Sequence, residues 1–342
     1  MIKIGKIEIK KNQVPLIIPE MGINHNGNYE VAIKIIRSAK KAGAKIIKNQ
    51  THIPEDEYSE EAKKITPDNS KKNIFDLIKK CAFSSEEEFK LKIFTEKLGM
   101  EYISTPFSRA AVDRLVKLKV KLIKIGSGEC NNYPLINYIS KKNIPVILST
   151  GMNDFKSIKI ATNILKKNNT KFGLNHCTNI YPSDFKDARL NCITELIKKY
   201  PKNPIGLSDH SRNNLIALAS IPLGVSMIEK HFVDSKNRKG PDISSSMDEK
   251  DLKDLIENSN NIFSSINGKK EILKKEINVA KFAFASVVSI KKISKGEKLS
   301  LKNIWVKRPG SGDFPAKNLT KLIGKRAKRE IKKNIQIKKT FL

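Results

Sequence analysis

Ionisable side chains recur in this sequence directly after short apolar runs. In "NPIGLSDHSRNN" (203–214), Pro204, Ile205, Gly206 and Leu207 give way to Ser208, Asp209 and His210. The same transition places Glu20 at the end of "PLIIPE" and Lys48 and Gln50 in "AKIIKNQ". It places Thr105 in "EYISTPF", and Lys124, Ser127 and Glu129 in "KLIKIGSGE". Ser149 follows in "PVILSTG", Asn179 in "FGLNHCTN" and His231 in "SMIEKHF". One polar strand end is unremarkable. Donors, acceptors and ionisable groups after eight runs point to one shared site.

Each group has a chemical and a structural reading. Lys48 and Lys124 lie inside apolar runs, where an unpaired ammonium is costly, so they either snorkel to a rim or meet an anion. Glu129 suits an acid–base group and equally a partner for one of those lysines. His210 and His231 form no HExxH or HxH motif. From adjacent strands their imidazoles could share a borderline divalent metal, Mn²⁺ in preference to Ca²⁺, with Mg²⁺ or Co²⁺ as alternatives. Two histidines that only support other groups are the other reading. Cys130 reads as packing.

Such groups need a scaffold that brings eight strand ends together. The runs (15–20, 44–50, 101–107, 121–129, 145–151, 172–179, 204–210 and 226–232) alternate with amphipathic helical stretches such as "EVAIKIIRSAKKAG" and "PLINYISKKN". Eight unbroken alternations predict an α/β fold, a (β/α)8 TIM barrel with its site at the C-terminal strand ends. An open eight-stranded sheet is the alternative. The expected boundaries are a barrel over 1–267, a Lys-rich linker over 268–281 and a small β-rich unit over 282–342. That unit is apolar at Val287, Val288, Ile290, Ile293, Leu299, Ile304 and Val306.

With 66 Lys and Arg against 35 Asp and Glu, the 342-residue chain carries a formal charge of +31. The lysines are spread along helices without aromatic interleaving or a nucleic-acid motif, so a solvated basic surface is expected and no nucleic-acid partner. A positive field would also concentrate an anionic substrate. No apolar run reaches the roughly 20 residues that span a bilayer, and no signal-peptide h-region opens the chain. Four cysteines without CxxC spacing suit free thiols in a reducing cytoplasm.

In order along the chain, "EMGINHNG", "KNQTHIPEDEYSEEAKKITPDN", "STPFSRAA", "KIGSGECNNYPLI", "LSTGM", "HCTNIYP", "GLSDH", "EKHF" and "KGPDISSSM" closely resemble the bacterial sialic acid synthases. From "FAFASVVSIKKISKGEKLSLKNIWVKRPGSGDF" onward, the tail resembles their antifreeze-like (SAF) domain. The resemblance implies condensation of phosphoenolpyruvate with N-acetylmannosamine to give N-acetylneuraminate and phosphate. It puts metal ligands at His210 and His231. The phosphoenolpyruvate site falls on Lys48, Thr105, Lys124, Ser127, Ser149, Asn179 and Ser208. The sugar site falls on Glu20, Gln50, Asn69, Glu129, Tyr181 and Asp242, with Phe282 as a further contact. It also implies a homodimer in which Arg308 completes the partner's site. Asn49 and Lys239 depart from the family pattern beside the sugar residues, which bears on fine substrate contacts. The reaction breaks a C–O bond, so no P-loop is needed, and none is present. Glu129 is the expected acid–base group, with Glu20 and Lys124 beside it. A legionaminic-type acid from a 2,4-diacetamido-trideoxy-mannose is the alternative product.

Overall fold

All eight apolar runs form strands in the computed structural model, which describes residues 1–67 and 72–342. A hairpin precedes them: β1 (Ile2–Ile4) pairs antiparallel with β2 (Ile7–Ile9) across a turn at Gly5 and Lys6. The eight are β3 (Leu16–Glu20), β4 (Ile46–Thr51), β5 (Glu101–Pro106), β6 (Ile123–Ile125), β7 (Val146–Ser149), β8 (Phe172–Cys177), β9 (Ile205–Asp209) and β10 (Met227–His231). They run parallel and close into a barrel as β10 pairs with both β9 and β3. The closed barrel, not the open sheet, is the fold.

Helices cover the outside because their apolar positions recur on one face. In the helix Tyr29–Lys41, Asn28 caps the first turn by accepting from the Val31 amide, and Lys40 and Lys41 sit at the negative end of the dipole. Ala32, Ile33, Ile35, Ile36 and Ala39 are buried against outward strand residues such as Ile17 and Ile47. Burying each such isoleucine contributes about 1.5–3 kcal/mol.

A separate apolar layer fills the barrel's lower interior. Leu16, Ile18, Ile46, Ile103, Leu122, Ile147 and Met227 pack with Ile2, Ile4 and Ile9 of the hairpin, which closes the N-terminal end. The alternation I-K-I-G-K-I-E-I carries that signal, although it lies outside the eight runs. Met227 also takes space that β9 leaves open. A Cβ on Gly206 would come within 2.4 Å of Met227 Cγ and 2.5 Å of Asn175 Oδ1.

Residues 268–342 form a second compact unit. In it β11 (Ser286–Ser289) pairs antiparallel with β12 (Ile304–Lys307). Val287, Ile293, Leu299, Ile304, Leu322, Ala327, Ile331, Ile337 and Phe341 make its core. The stretch expected as linker contains a 3-10 turn, Lys274–Glu276, and the start of the helix Ile277–Ala283. Among the described residues no helix is long and apolar enough to cross a membrane.

On the outer faces of β9 and β10, Asp209 and Lys230 are register partners and form a buried ion pair at 2.8 Å. The Ser211 amide and hydroxyl donate to the same carboxylate at 2.9 and 3.0 Å. Each member precedes a histidine of the barrel mouth, so the pair ties the two backbones that carry His210 and His231. Lys230→Met should destabilise the protein by about 3–5 kcal/mol, because it leaves Asp209 buried and uncompensated. Asp209→Leu combined with Lys230→Met should cost less than Lys230→Met alone, as read from urea unfolding midpoints.

Candidate active site

At the C-terminal end of the barrel lies a cavity of about 620 Å³. The period of two along each strand turns Glu20, Lys48, Gln50, Thr105, Lys124, Ser149, Ser208 and His231 inward, and all of them line it. Ser127, Glu129, Asn179, Tyr181 and His210, just beyond strand ends, also line it. Asp242 reaches the same histidines from the loop after β10, with Oδ2 3.7 Å from His231 Nδ1. Asn69 lies outside the described residues. Phe282 and Arg308 are exposed residues of the second unit, in the helix Ile277–Ala283 and directly after β12.

Two buried lysines share one carboxylate at the cavity floor. Lys48 Nζ is 3.6 Å and Lys124 Nζ 3.4 Å from Glu229 Oε1. Lys48 also sits 2.6 Å from Glu20 Oε2 and donates to Thr105 Oγ1 at 3.0 Å. Lys124 donates to Ser149 Oγ at 2.7 Å, and Ser208 Oγ to Glu229 at 3.3 Å. Neither lysine snorkels, since each is only 3% exposed.

The two carboxyls face opposite outcomes. Burial works against the charge of Glu229, but Lys124 and Lys48 outweigh it and hold the group down at about 2. Burial pushes Glu20 up to about 7, with Lys48 pulling back and the Glu229 charge adding to the rise. Glu229 is therefore the counter-ion and Glu20 the group that exchanges a proton. Burial likewise opposes the charge on Lys48, yet its two carboxylates raise its pKa, whereas desolvation lowers that of Lys124. With two lysines around the one strongly held carboxylate, the floor has capacity for an anion.

Hydroxyl and amide groups continue this surface. Ser127 Oγ accepts from the Gly151 amide at 3.1 Å, and Asn179 stands beside it. A Cβ on Gly151 would fall 1.9 Å from Asn179 Oδ1 and 2.9 Å from Ser127 Oγ, so only glycine lets these two side chains approach.

The histidine rings stand with centroids 5.5 Å apart, and Tyr181 lies 4.1 Å from the His210 ring. His210 Nδ1–H donates to the Thr178 carbonyl at 2.8 Å, which fixes the ring and leaves Nε2 as the nitrogen for a ligand. Burial, with Lys48 close by, lowers His231 to about 3, so this ring is neutral. Its Nδ1 is buried without a hydrogen-bond partner. Two facing imidazoles, one with an orphaned nitrogen, fit a divalent ion that keeps its other positions open. Among the described residues no cluster of three or more His, Cys, Asp or Glu forms a closed metal cage.

Glu229, Cys177 and Glu57 also line the cavity and escaped the sequence reading. The signal for Glu229 was present, two residues before His231 and on the same strand face. Cys130 is fully buried packing, and all four cysteines are free.

Burial, with the nearby Glu57 charge, raises the Glu129 carboxyl from 4.5 to about 7. Folding therefore takes up a proton between those values. The stability this group contributes is complete below about 4.5 and lost as pH rises through about 7. Glu129→Gln should match the parent protein at pH 5 and exceed it at pH 8 by on the order of 1–3 kcal/mol, read from urea midpoints.

Residues 35–271 match the NeuB family and residues 284–342 the SAF domain. The chain is 37% identical to an uncharacterized protein of Methanocaldococcus jannaschii over 96% of this chain and 95% of that one. It is 35% identical to the N,N'-diacetyllegionaminic acid synthase of Campylobacter jejuni, over 93% of this chain and 97% of the other. Among solved structures, the N-acetylneuraminic acid synthetase of Leptospira borgpetersenii, in complex with citrate, superposes with a TM-score of 0.74 at 32% identity. That match covers 81% of this chain and 94% of that one. A parallel barrel whose mouth joins paired lysines to paired histidines, followed by a small β unit, thus has relatives over nearly its whole length, and the chain belongs to the NeuB family, with a C-terminal SAF domain.

Proposed function

We propose that the protein condenses phosphoenolpyruvate with N-acetylmannosamine and water, giving N-acetylneuraminate and phosphate, as a carbon–carbon bond-forming transferase. The observation that carries this reading is the cavity floor, where two buried lysines and a ring of hydroxyls lie beside two imidazoles. A small trianion with phosphate and carboxylate groups needs the first set. An open-chain aldehyde sugar needs the second.

Lys48, Lys124, Thr105, Ser127, Ser149, Asn179 and Ser208 would hold phosphoenolpyruvate through charge-assisted hydrogen bonds. Glu20, Gln50, Glu129, Tyr181 and Asp242, with Asn69, would hold the sugar. A divalent ion, Mn²⁺ by preference, would be bound by His210 and His231 and would supply Lewis acidity toward the sugar's carbonyl oxygen. Carbon C3 of phosphoenolpyruvate then attacks the aldehyde carbon, and the new alkoxide takes a proton. Glu129, at about 7, is partly protonated at neutral pH and so can deliver that proton and recover one from water. Water adds at C2, and the tetrahedral intermediate collapses with loss of phosphate. The bridging oxygen leaves with the phosphorus because the C–O bond breaks.

A second reading keeps this chemistry on 2,4-diacetamido-2,4,6-trideoxymannose, favoured by the 35% identity to the Campylobacter jejuni legionaminic enzyme. Incubation with phosphoenolpyruvate, Mn²⁺ and both sugars, with mass analysis of the products, separates the two. Turnover should stop on chelation and return with Mn²⁺. Phosphoenolpyruvate labelled with ¹⁸O at the bridging position should pass its label to phosphate; label kept in the sugar acid would refute C–O cleavage.

The free thiols suit a reducing cytoplasm, where we place the reaction. The working assembly in this proposal is a homodimer in which Arg308, with Phe282, closes the partner's sugar site. Its test is complementation in mixed dimers. His210→Ala and Arg308→Ala, each inactive alone, should on co-expression recover roughly a quarter of the parent activity, because about half the dimers are mixed and each has one intact site. No recovery with mixed dimers present would refute the shared site.

A further inference from the structure

Beside the cavity, one buried imidazole has no part in the chemistry above. His52 follows β4, is 5% exposed and stacks on the Phe107 ring at 4.5 Å and 8°. Its Nδ1 lies 2.8 Å from Glu57 Oε2 and its Nε2 3.1 Å from Gln50 Oε1. Gln50, Glu57 and Phe107 line the cavity, with His52 just behind them.

The donor inventory sets the direction of the first bond. A carboxylate only accepts, so His52 Nδ1–H donates to Glu57. Nε2 then meets the Gln50 amide at 3.1 Å as the ring's second contact. An unrestrained primary amide turns over at little cost and offers a ligand its oxygen or its NH2 alike. Here one end of the amide is already engaged, and the stacked ring cannot follow a flip.

We propose that Glu57 and His52 are positioning residues that hold the Gln50 amide in one orientation, with one end on His52 and the other toward the cavity. Gln50 then offers the sugar a fixed hydrogen-bonding group and discriminates against an analogue that lacks a partner for it. This rests on the reading that Gln50 contacts the sugar. A site built to hydrogen-bond a given group rejects analogues lacking it, because its own buried polar atoms are left unpaired.

The test is a double-mutant cycle on the full-length enzyme, with phosphoenolpyruvate saturating and the sugar varied. Its variants are Gln50→Ala, His52→Phe, which keeps the stacked ring and removes both nitrogens, and the two combined. Each single change should raise the sugar KM on the order of tenfold, the worth of one buried hydrogen bond, while the KM for phosphoenolpyruvate stays put. The double variant should be no worse than Gln50→Ala alone, since residues acting through one contact are not additive. Glu57→Gln, which leaves the imidazole in place, should show the same non-additivity with Gln50→Ala. An unchanged sugar KM in Gln50→Ala would overturn the proposal together with the placement of the sugar at Gln50. A raised KM in Gln50→Ala, with either no effect of His52→Phe or multiplying effects in the double variant, would overturn the positioning role alone.

Discussion

Everything at the barrel mouth depends on a single carboxylate shared by two lysines. Two ammonium groups inside a barrel would be expelled or neutralised without a counter-charge, and Glu229 supplies it between 3.4 and 3.6 Å from both. Glu20 behaves differently chiefly because burial disfavours its charge; Lys48 opposes that rise, the nearby Glu229 charge adds to it, and the group ends at about 7. The floor is thus neither saturated with carboxylates nor bare of them, which lets it accept an anion without collapsing when empty.

Much of this was legible from periodicity. The eight apolar runs announced the barrel, and their polar ends announced the mouth, because parallel strands in a closed sheet deliver their C-terminal residues to one place. Groups one layer behind the strand ends were not legible. Glu229 sits in the middle of an apolar run, and only its same-face relation to His231 distinguishes it. Asp209 and Lys230 read as a polar strand end and a basic residue before a histidine, and become an ion pair only through the register of β9 on β10. His52 and Glu57 are five residues apart in an acidic segment, so their meeting depends on the turn after β4 and on Phe107 from a different strand end. Such contacts require tertiary neighbours that no local pattern names.

The surface and the site use charge in different ways. A net charge of +31 spread over exposed helices is screened within about 8 Å at physiological ionic strength, so it can steer an anion only over short distances. The lysines of the floor act at contact range in a buried environment, where screening is weak. Recognition therefore belongs to a few buried groups, and the many exposed lysines leave it untouched.

The hairpin that seals the N-terminal end makes the barrel a vessel with one opening. Isoleucines 2, 4 and 9 close it below, so nothing can pass through, and every molecule enters and leaves by the same mouth. The lysines lie at the bottom of that vessel, with Glu129 and the loop carrying Asp242 nearer its rim. With a single opening, entry and exit are coupled. Under the proposed chemistry, an anion seated at the lysines would have to arrive before, and leave after, whatever occupies the rim.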